Sequence, residues 1–304
     1  MTRTVQAPRA SRRSAAIRQE GPGYAVFRVV NSIALAVICF LTLYPFVNIV
    51  AQAFSSDSAI AAGRVNLVPV GFNLTTFQHV TSDAMFWLNY RNTVIYTVVA
   101  TVIAIFLTTT FAYVLSKQHL KGRNVLIGVA VLTMFFNGGL IPNYVLIQAL
   151  SMKNTIWAIV LPNAISVFNL LVMKSFFENF PDELEEAGKM DGLNTYGIFG
   201  MIVIPLSKAV IATMVLFYAV SFWNSWFAAF LYFDRAELYP VTIYLRNLMA
   251  AATSGAEPGS TDAAQINANV QAVTMLLTAL PIVAVYPFIQ KYFVSGVMLG
   301  SVKQ

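Results

Sequence analysis

The stretch NTVIYTVVATVIAIFLTTTFAYVLS, residues 92–116, runs 25 positions without a charged side chain. A helix rises 1.5 Å per residue, so this stretch reaches about 37 Å, enough to cross a hydrocarbon core of about 30 Å. It does not alternate apolar and polar positions as a strand of a membrane barrel does. Its Thr108-Thr109-Thr110 run suits close helix packing in lipid.

Working outward, uncharged runs recur at 29–56, 124–152, 154–173, 209–233 and 263–290. Each has room for the roughly 20 residues a membrane helix needs. The whole chain of 304 residues is 58% hydrophobic and 11% charged, against about 25% charged in ordinary soluble domains. The fold class expected is an all-α polytopic membrane protein with six spans, near 27–50, 91–115, 124–150, 155–177, 202–232 and 270–293. A basic, mobile N-terminal tail (1–26) precedes a single membrane domain (27–304) with no internal repeat. The tail and first run are read as a retained span, not a cleaved leader, because the apolar run is long and no small-x-small pattern follows it.

Charge sets the orientation. With the N-terminus inside, the inner segments hold fourteen Lys and Arg: Arg3, Arg9, Arg12, Arg13, Arg18, Arg28, Lys117, Lys121, Arg123, Lys174, Lys189, Lys208, Lys291 and Lys303. The outer segments hold five: Arg64, Arg91, Lys153, Arg235 and Arg246. Both termini are therefore expected in the cytoplasm. The net charge of +6 is a topology signal, and nucleic acid is not expected as a partner.

Several chemistries find no support. Cys39 is the only cysteine and sits mid-span, so no disulfide or metal framework is expected. His79 and His119 fall on opposite sides of the membrane. No G-x-x-x-x-G-K-[ST] phosphate loop occurs, and the uncharged runs lack the ionisable relays of an ion-driven carrier. The chain is not expected to be an enzyme or to hold a cofactor, and its energy must come from a partner.

Two kinds of polar feature interrupt the apolar runs. The first is a charged loop at 178–201. Pro181-Asp182-Glu183-Leu184-Glu185-Glu186 reads as a helix start, with proline in the first turn and carboxylates at the positive end of the dipole. Leu184, Ala187 and Gly188 share one small face. Asp191-Gly192 is turn chemistry. A second short helix, about 195–204, is expected to break at Pro205. The second feature is a set of amides and indoles: Asn137, Asn143, Asn163, Asn169, Trp223, Asn224 and Trp226. These could hydrogen-bond a sugar and cover its C–H faces. Each could equally be span packing or an interfacial anchor. In Asn137-Gly138-Gly139-Leu140-Ile141-Pro142-Asn143 the glycines and proline are expected to loosen or bend the third span.

The string Glu186-Ala187-Gly188-x-x-Asp191-Gly192, followed by Phe199 and Ile204-Pro205, resembles the EAA loop of binding-protein-dependent ABC-importer permeases. Three further segments, Asn137 to Asn143, Phe222-Trp223-Asn224-Ser225-Trp226 and Leu238-Tyr239-Pro240, resemble the carbohydrate branch, in particular permeases for complex oligosaccharides such as alginate-type fragments. The resemblance covers about residue 27 to the C-terminus. It implies a type I importer permease fold in a bacterial inner membrane, with a cytoplasmic coupling helix seated in an ATPase cleft. Glu185, Glu186, Ala187, Gly188, Asp191, Gly192 and Pro205 are implied as the ATPase-coupling residues. Gly188 stands where the family usually has alanine, and Ala209 where a proline often follows. The implied partners are a second homologous permease, an ATP-binding subunit dimer that holds ATP and Mg, an extracytoplasmic solute-binding protein, and an oligosaccharide. A permease for an amino acid, phosphate or ion, or a non-transporting membrane scaffold, are the alternatives.

Overall fold

The structure is a computed structural model, and it describes residues 22–254, 269–285 and 287. The expectations for the N-terminal tail up to residue 21, for the loop 255–268 and for the chain beyond 287 lie outside the described residues. All regular structure among the described residues is helical.

Packing divides the chain into two units, at Asn48 and Ile49. The described part of the first unit belongs to α1 (Pro22–Ala53), which includes Pro45. Val29, Leu35, Ile38, Leu41 and Phe46 on it are each more than half exposed, as suits a helix whose solvent is lipid.

The second unit is built on α4 (Ala84–Ser116), which Asp83 caps by accepting from the Met85 amide. Short α2 (Asp57–Ala61) and α3 (Thr75–Ser82) precede it. Asn73 Oδ1 accepts from the Thr75 amide at 2.8 Å and closes the turn into α3. The buried face of α4 carries small and hydroxyl residues, among them Thr93, Thr97, Ala100, Thr101, Ala104, Thr108 and Ala112. In lipid, helices gain nothing by hiding leucine from leucine, so small residues that admit close backbones make the interface. Against α4 pack α7 (Trp157–Val160), α8 (Val167–Glu178), α12 (Lys208–Trp223) and α14 (Val241–Ser254).

Three of the expected spans are bent. The third comprises α5 (Arg123–Phe135) and α6 (Leu140–Ala149), meeting at 114°. Asn137 and Gly139 make this bend. Gly139 has φ +90° and ψ 172°, a region open only to glycine, and its amide donates to Asn137 Oδ1 at 2.9 Å. Pro142 lies in the first turn of α6, where no amide donor is needed. The fourth span bends by 49° between Trp157–Asn163 and α8. The sixth is represented by α15 (Asn269–Val285).

The fifth span corrects the sequence reading twice. The membrane helix is α12, which ends at Trp223, and Phe227–Tyr232 forms a separate short helix, α13. Before it, Thr195–Leu206 is one continuous helical piece through α10 (Thr195–Ile198), a π-turn at Phe199–Val203 and α11 (Ile204–Leu206). Pro205 lies inside that piece, and the 81° break comes after it, at Ser207. A proline at 205 cannot donate to the carbonyl four residues back. The wider π-turn ahead of it is how helices absorb such a mismatch.

Candidate functional site

At one end of the second unit, α9 (Asp182–Met190) forms the first arm of the charged loop. Three acids, Asp182, Glu183 and Glu185, stand in its first turn and Lys189 in its last, which matches the helix dipole at both ends. The helix stops at Gly192, φ +81°. The Leu193 amide returns to the Gly188 carbonyl at 3.0 Å and the Gly192 amide to the Lys189 carbonyl at 3.0 Å. This pair of bonds is a Schellman cap. Asn194 then caps α10 by accepting from the Gly197 amide at 2.8 Å.

Only Glu185 and Gly188 of α9 are buried. Gly188 meets α10 and its continuation so closely that a Cβ would lie 2.7 Å from Ile202 Cδ1 and 3.2 Å from Ile198 Cγ1. The small residue expected to seat the helix on a partner seats it on its own chain. The Glu185 carboxylate, also grouped with the outward coupling residues, turns inward and pairs with Lys117 at the end of α4. Lys117 in turn lies 4.4 Å from the Tyr113 ring centroid, and Tyr113 packs on Phe177 and Phe199. Arg123 completes the anchor: its Nε donates to the Leu115 carbonyl at 2.7 Å, and its guanidinium shares Glu178 with Lys174. Glu183, Leu184, Glu186, Ala187 and Met190 form the open face of α9. Met190 is 89% exposed and Tyr196 on α10 is 86% exposed. Lys117 and Arg123 were visible in sequence only as topology charges, because their carboxylate partners Glu185 and Glu178 lie 68 and 55 positions away.

Along α5 and α8, away from α9, two cavities flank the break at Pro162 and Asn163, which line both. One, of about 730 Å³, is lined by Asn137, Asn143 and Asn163 with Phe136, Phe227 and Tyr232. The other, also about 730 Å³, is lined by Asn163, Asn169, Ser166, Phe168, Phe217 and Tyr218. Asn137, Asn143 and Asn163 thus line the first cavity and Asn163 and Asn169 the second; the two cavities, which share Pro162 and Asn163, are together called the groove. Asn143 Nδ2 donates to Asn137 Oδ1 at 3.3 Å, and no bond among the described residues uses Asn137 Nδ2 or Asn143 Oδ1. Neither lining contains Lys, Arg, Asp or Glu. Tyr218, which the sequence did not single out from its apolar run, holds the groove floor. Its hydroxyl lies 2.6 Å from Thr108 Oγ1 and accepts from the Ser166 amide at 2.9 Å.

The remaining three candidates lie elsewhere. Trp223 is buried, donates from Nε1 to the Thr278 carbonyl at 3.1 Å and meets the Tyr90 ring edge-on, which is packing. Asn224 caps the end of α12. Trp226 lies under the Arg246 guanidinium. The Leu238-Tyr239-Pro240 motif has a plain structural use, since the carbonyls around it receive α4. Asn92 donates to Glu237 and Tyr239, Tyr96 to Leu238, and the Val241 amide donates to Thr93.

The loops beyond the groove are tied by charge. Asp234 accepts from Lys153 and Asn154, both at 3.0 Å, and the Lys153 and Asn154 bonds hold its carboxyl below the usual range. Burial, reinforced by the bond to Asp83 at 2.6 Å, pushes the Tyr244 phenol up. Among the described residues no three His, Cys, Asp or Glu side chains gather as a metal site.

The sequence model of the binding-protein-dependent transport system inner membrane component family matches residues 125–299. Protein LplC of Bacillus subtilis (strain 168) is 39% identical over 91% of this chain and 95% of its own. The polygalacturonan/rhamnogalacturonan transport system permease protein YtcP of the same organism is 37% identical, over 88% and 94%. Among solved structures, a chain of a bacterial ABC transporter involved in the import of the acidic polysaccharide alginate superposes with TM-score 0.82 at 31% identity, over 90% of this chain and 99% of that one. These matches span both the α9 module and the groove, and the chain belongs to the family of binding-protein-dependent transport system inner membrane components.

Proposed function

We propose that this chain is the permease subunit of an ATP-driven oligosaccharide importer, with the groove beside Pro162 and Asn163 as its share of the sugar path. The observation that carries this reading is the pairing of two devices at the two ends of α8. An open, acid-rich and apolar-tipped helix, α9, follows the end of α8, and an amide-lined, aromatic-walled groove lies at the other end of α8, around Ser166, Phe168 and Asn169, and beside α5 and α6.

Each device has the physical character its task requires. Sugars present hydroxyls and C–H faces, which amide groups and aromatic rings recognise without fixed charge. Asn137, Asn143, Asn163 and Asn169 supply the amides. At the other end, the exposed face of Glu183, Leu184, Glu186, Ala187 and Met190 would sit in a cleft of a cytoplasmic ATPase dimer that binds ATP and Mg. The buried face, Glu185 and Gly188, would pass the movement to α4 and α12. ATP-driven closure of the ATPases would draw the α9 helices of two permeases together, and the bundle would alternate between outward and inward access. Pro205 and the π-turn before it form the joint between this module and α12. The second permease and an extracytoplasmic solute-binding protein complete the machine, with both termini of this chain in the cytoplasm.

The relatives that handle polygalacturonan and alginate support an acidic oligosaccharide as the substrate class. The test is ATP hydrolysis by the reconstituted complex, with its binding protein loaded by galacturonate, mannuronate or neutral oligosaccharides. Stimulation by a uronate oligosaccharide is expected. Stimulation by an amino acid or phosphate and by none of the sugars would overturn the reading.

A further inference from the structure

Four asparagines are buried among the described residues: Asn89, Asn92, Asn169 and Asn269. Three of them engage their side-chain amides inside the fold. Asn92 donates to the Glu237 and Tyr239 carbonyls, and Asn269 to the Ser55 carbonyl and Asp57. Asn89, in the amide orientation that suits its neighbours, donates to the Ala236 and Tyr239 carbonyls. Asn169 differs. It is 6% exposed, and its backbone amide is bonded, to Ser166 Oγ, but its carboxamide bonds to nothing among the described residues. Of the four it is the one that lines the groove, in the cavity of about 730 Å³ that also has Ser166, Phe168 and Phe217 in its wall.

An unbonded amide inside a membrane bundle is costly, so its retention needs a use. The unbonded hydroxyls of Thr97, Thr101, Thr109 and Ser207 are sealed in by packing. The Asn169 carboxamide is not sealed and opens on the cavity. Its backbone is also held from three helices. Asn169 follows the Ser166 cap of α8, the Ser166 amide donates to the Tyr218 hydroxyl of α12 at 2.9 Å, and that hydroxyl lies 2.6 Å from Thr108 Oγ1 on α4. A side chain on a fixed backbone loses little freedom when it meets a ligand.

One carboxamide offers an acceptor, Oδ1, beside a donor, Nδ2. Two neighbouring hydroxyls on a sugar ring match it, one donating to Oδ1 and the other accepting from Nδ2. Phe168, Phe217 and Phe222 in the same wall suit the C–H faces of that ring. The amides of Asn137, Asn143 and Asn163 are exposed, where water competes for them. At Asn169 that competition is weakest, and a missing ligand hydroxyl is felt most.

We propose that Asn169 is the specificity-determining residue of the groove and recognises a pair of neighbouring ring hydroxyls on one unit of the oligosaccharide. This rests on the oligosaccharide reading above, and adds which of the four amides selects the substrate and by which groups.

The experiment measures binding of two probes to the assembled permease–ATPase complex in nanodiscs. One is a galacturonate tetramer, and the other a deoxy tetramer in which one ring hydroxyl of each unit is replaced by hydrogen. Wild type is expected to bind the first about tenfold more tightly, the scale of leaving one buried polar group unmatched. Asn169→Leu is expected to bind the two alike, with its thermal midpoint unchanged or raised, because the lost amide has no partner in the fold. Asn169→Ser keeps a hydroxyl but not the paired donor and acceptor. It is expected to fall between them, and it carries the test if Asn169→Leu does not assemble. A preference that survives undiminished in the variants, or a wild type that does not distinguish the tetramers, would overturn the role of Asn169 and leave the oligosaccharide reading standing. A lowered midpoint with the preference intact would make Asn169 a packing residue. Failure of wild type to bind either tetramer would overturn both.

Discussion

The two polar regions of this membrane protein use their polar groups in opposite ways. Where α9 meets the body of the chain the inward charges are paired and half hidden, Glu185 with Lys117 and Glu178 with Arg123 and Lys174, while Glu183 and Glu186 stay on the open face. In the groove the amides of Asn137, Asn143 and Asn163 are exposed, and beyond the 2.9 Å bond that Asn137 Oδ1 accepts from Gly139 their internal bonds are long, 3.3 Å and 3.4 Å. A buried charge whose partner moves away is left costly and alone, so a paired charge ties two elements into one rigid part. Exposed amides in an apolar wall keep their bonding capacity for something that arrives from outside. The difference fits the proposed roles, transmission for the first region and recognition for the second.

The largest test of the transmission half is Gly192→Pro. Proline requires φ near −65°, and Gly192 stands at +81° with its amide donating to Lys189. The Schellman cap is lost and α10 is redirected. Uptake is expected to fall by about two orders of magnitude, since a small misplacement of coupled parts costs that much, while the membrane subunits still co-purify. Normal uptake would remove α9 from the coupling path.

Next in size is the pair at the end of α4. Lys117→Ala leaves the Glu185 carboxylate buried without its partner, at a cost of about 2 kcal/mol, below the fully buried figure because Lys117 is itself partly exposed. A lowered thermal midpoint in nanodiscs is expected, with part of it regained when Lys117→Glu is combined with Glu185→Lys. If Lys117→Ala is as stable as wild type, the paired-charge side of the comparison fails.

The recognition half predicts smaller and different effects. Asn143→Ala is expected to raise KM for oligosaccharide-driven uptake about fivefold, the worth of one neutral hydrogen bond of about 1 kcal/mol, with the thermal midpoint nearly unchanged because Asn143 is exposed. A large loss of stability with unchanged KM would make Asn143 a bend residue only.

The smallest effect concerns the surface tie between Asp234, Lys153 and Asn154. A carboxyl whose folded pKa is depressed contributes stability that is present above its unfolded pKa, about 4, and is lost as pH falls through the depressed folded value. Asp234→Asn is therefore expected to flatten the acid limb of the stability curve slightly below about pH 5. An unchanged limb would show that the tie contributes nothing.

Much of this was legible in the residues. Uncharged runs of membrane length follow from the cost of burying charge in lipid, which acts on composition alone and leaves a signal in any window. Asp191-Gly192 as the end of α9 is local chemistry, and so is Asn137-Gly138-Gly139 as a bend. The direction of side chains was not legible. Glu185 and Glu186 are adjacent carboxylates with the same propensities, yet one is buried against Lys117 and the other is open, because 100° of helix rotation separates them and the body of the chain lies on one side only. Gly188 read as small, and only Ile198 and Ile202 show what it is small for. The break after Pro205 moved to Ser207 because a π-turn took up the mismatch, and no local pattern announces one. The seven amide and indole candidates divided, four to the groove and three elsewhere, by which wall of the bundle each faces.

The sequence by itself determined that this is a helical membrane protein with apolar runs of membrane length, and that an acid-led helix interrupts them, since each follows from solvation or local backbone chemistry. Only the tertiary structure decided which polar groups became partners and which stayed open, since that depends on contacts between residues such as Lys117 and Glu185, 68 positions apart.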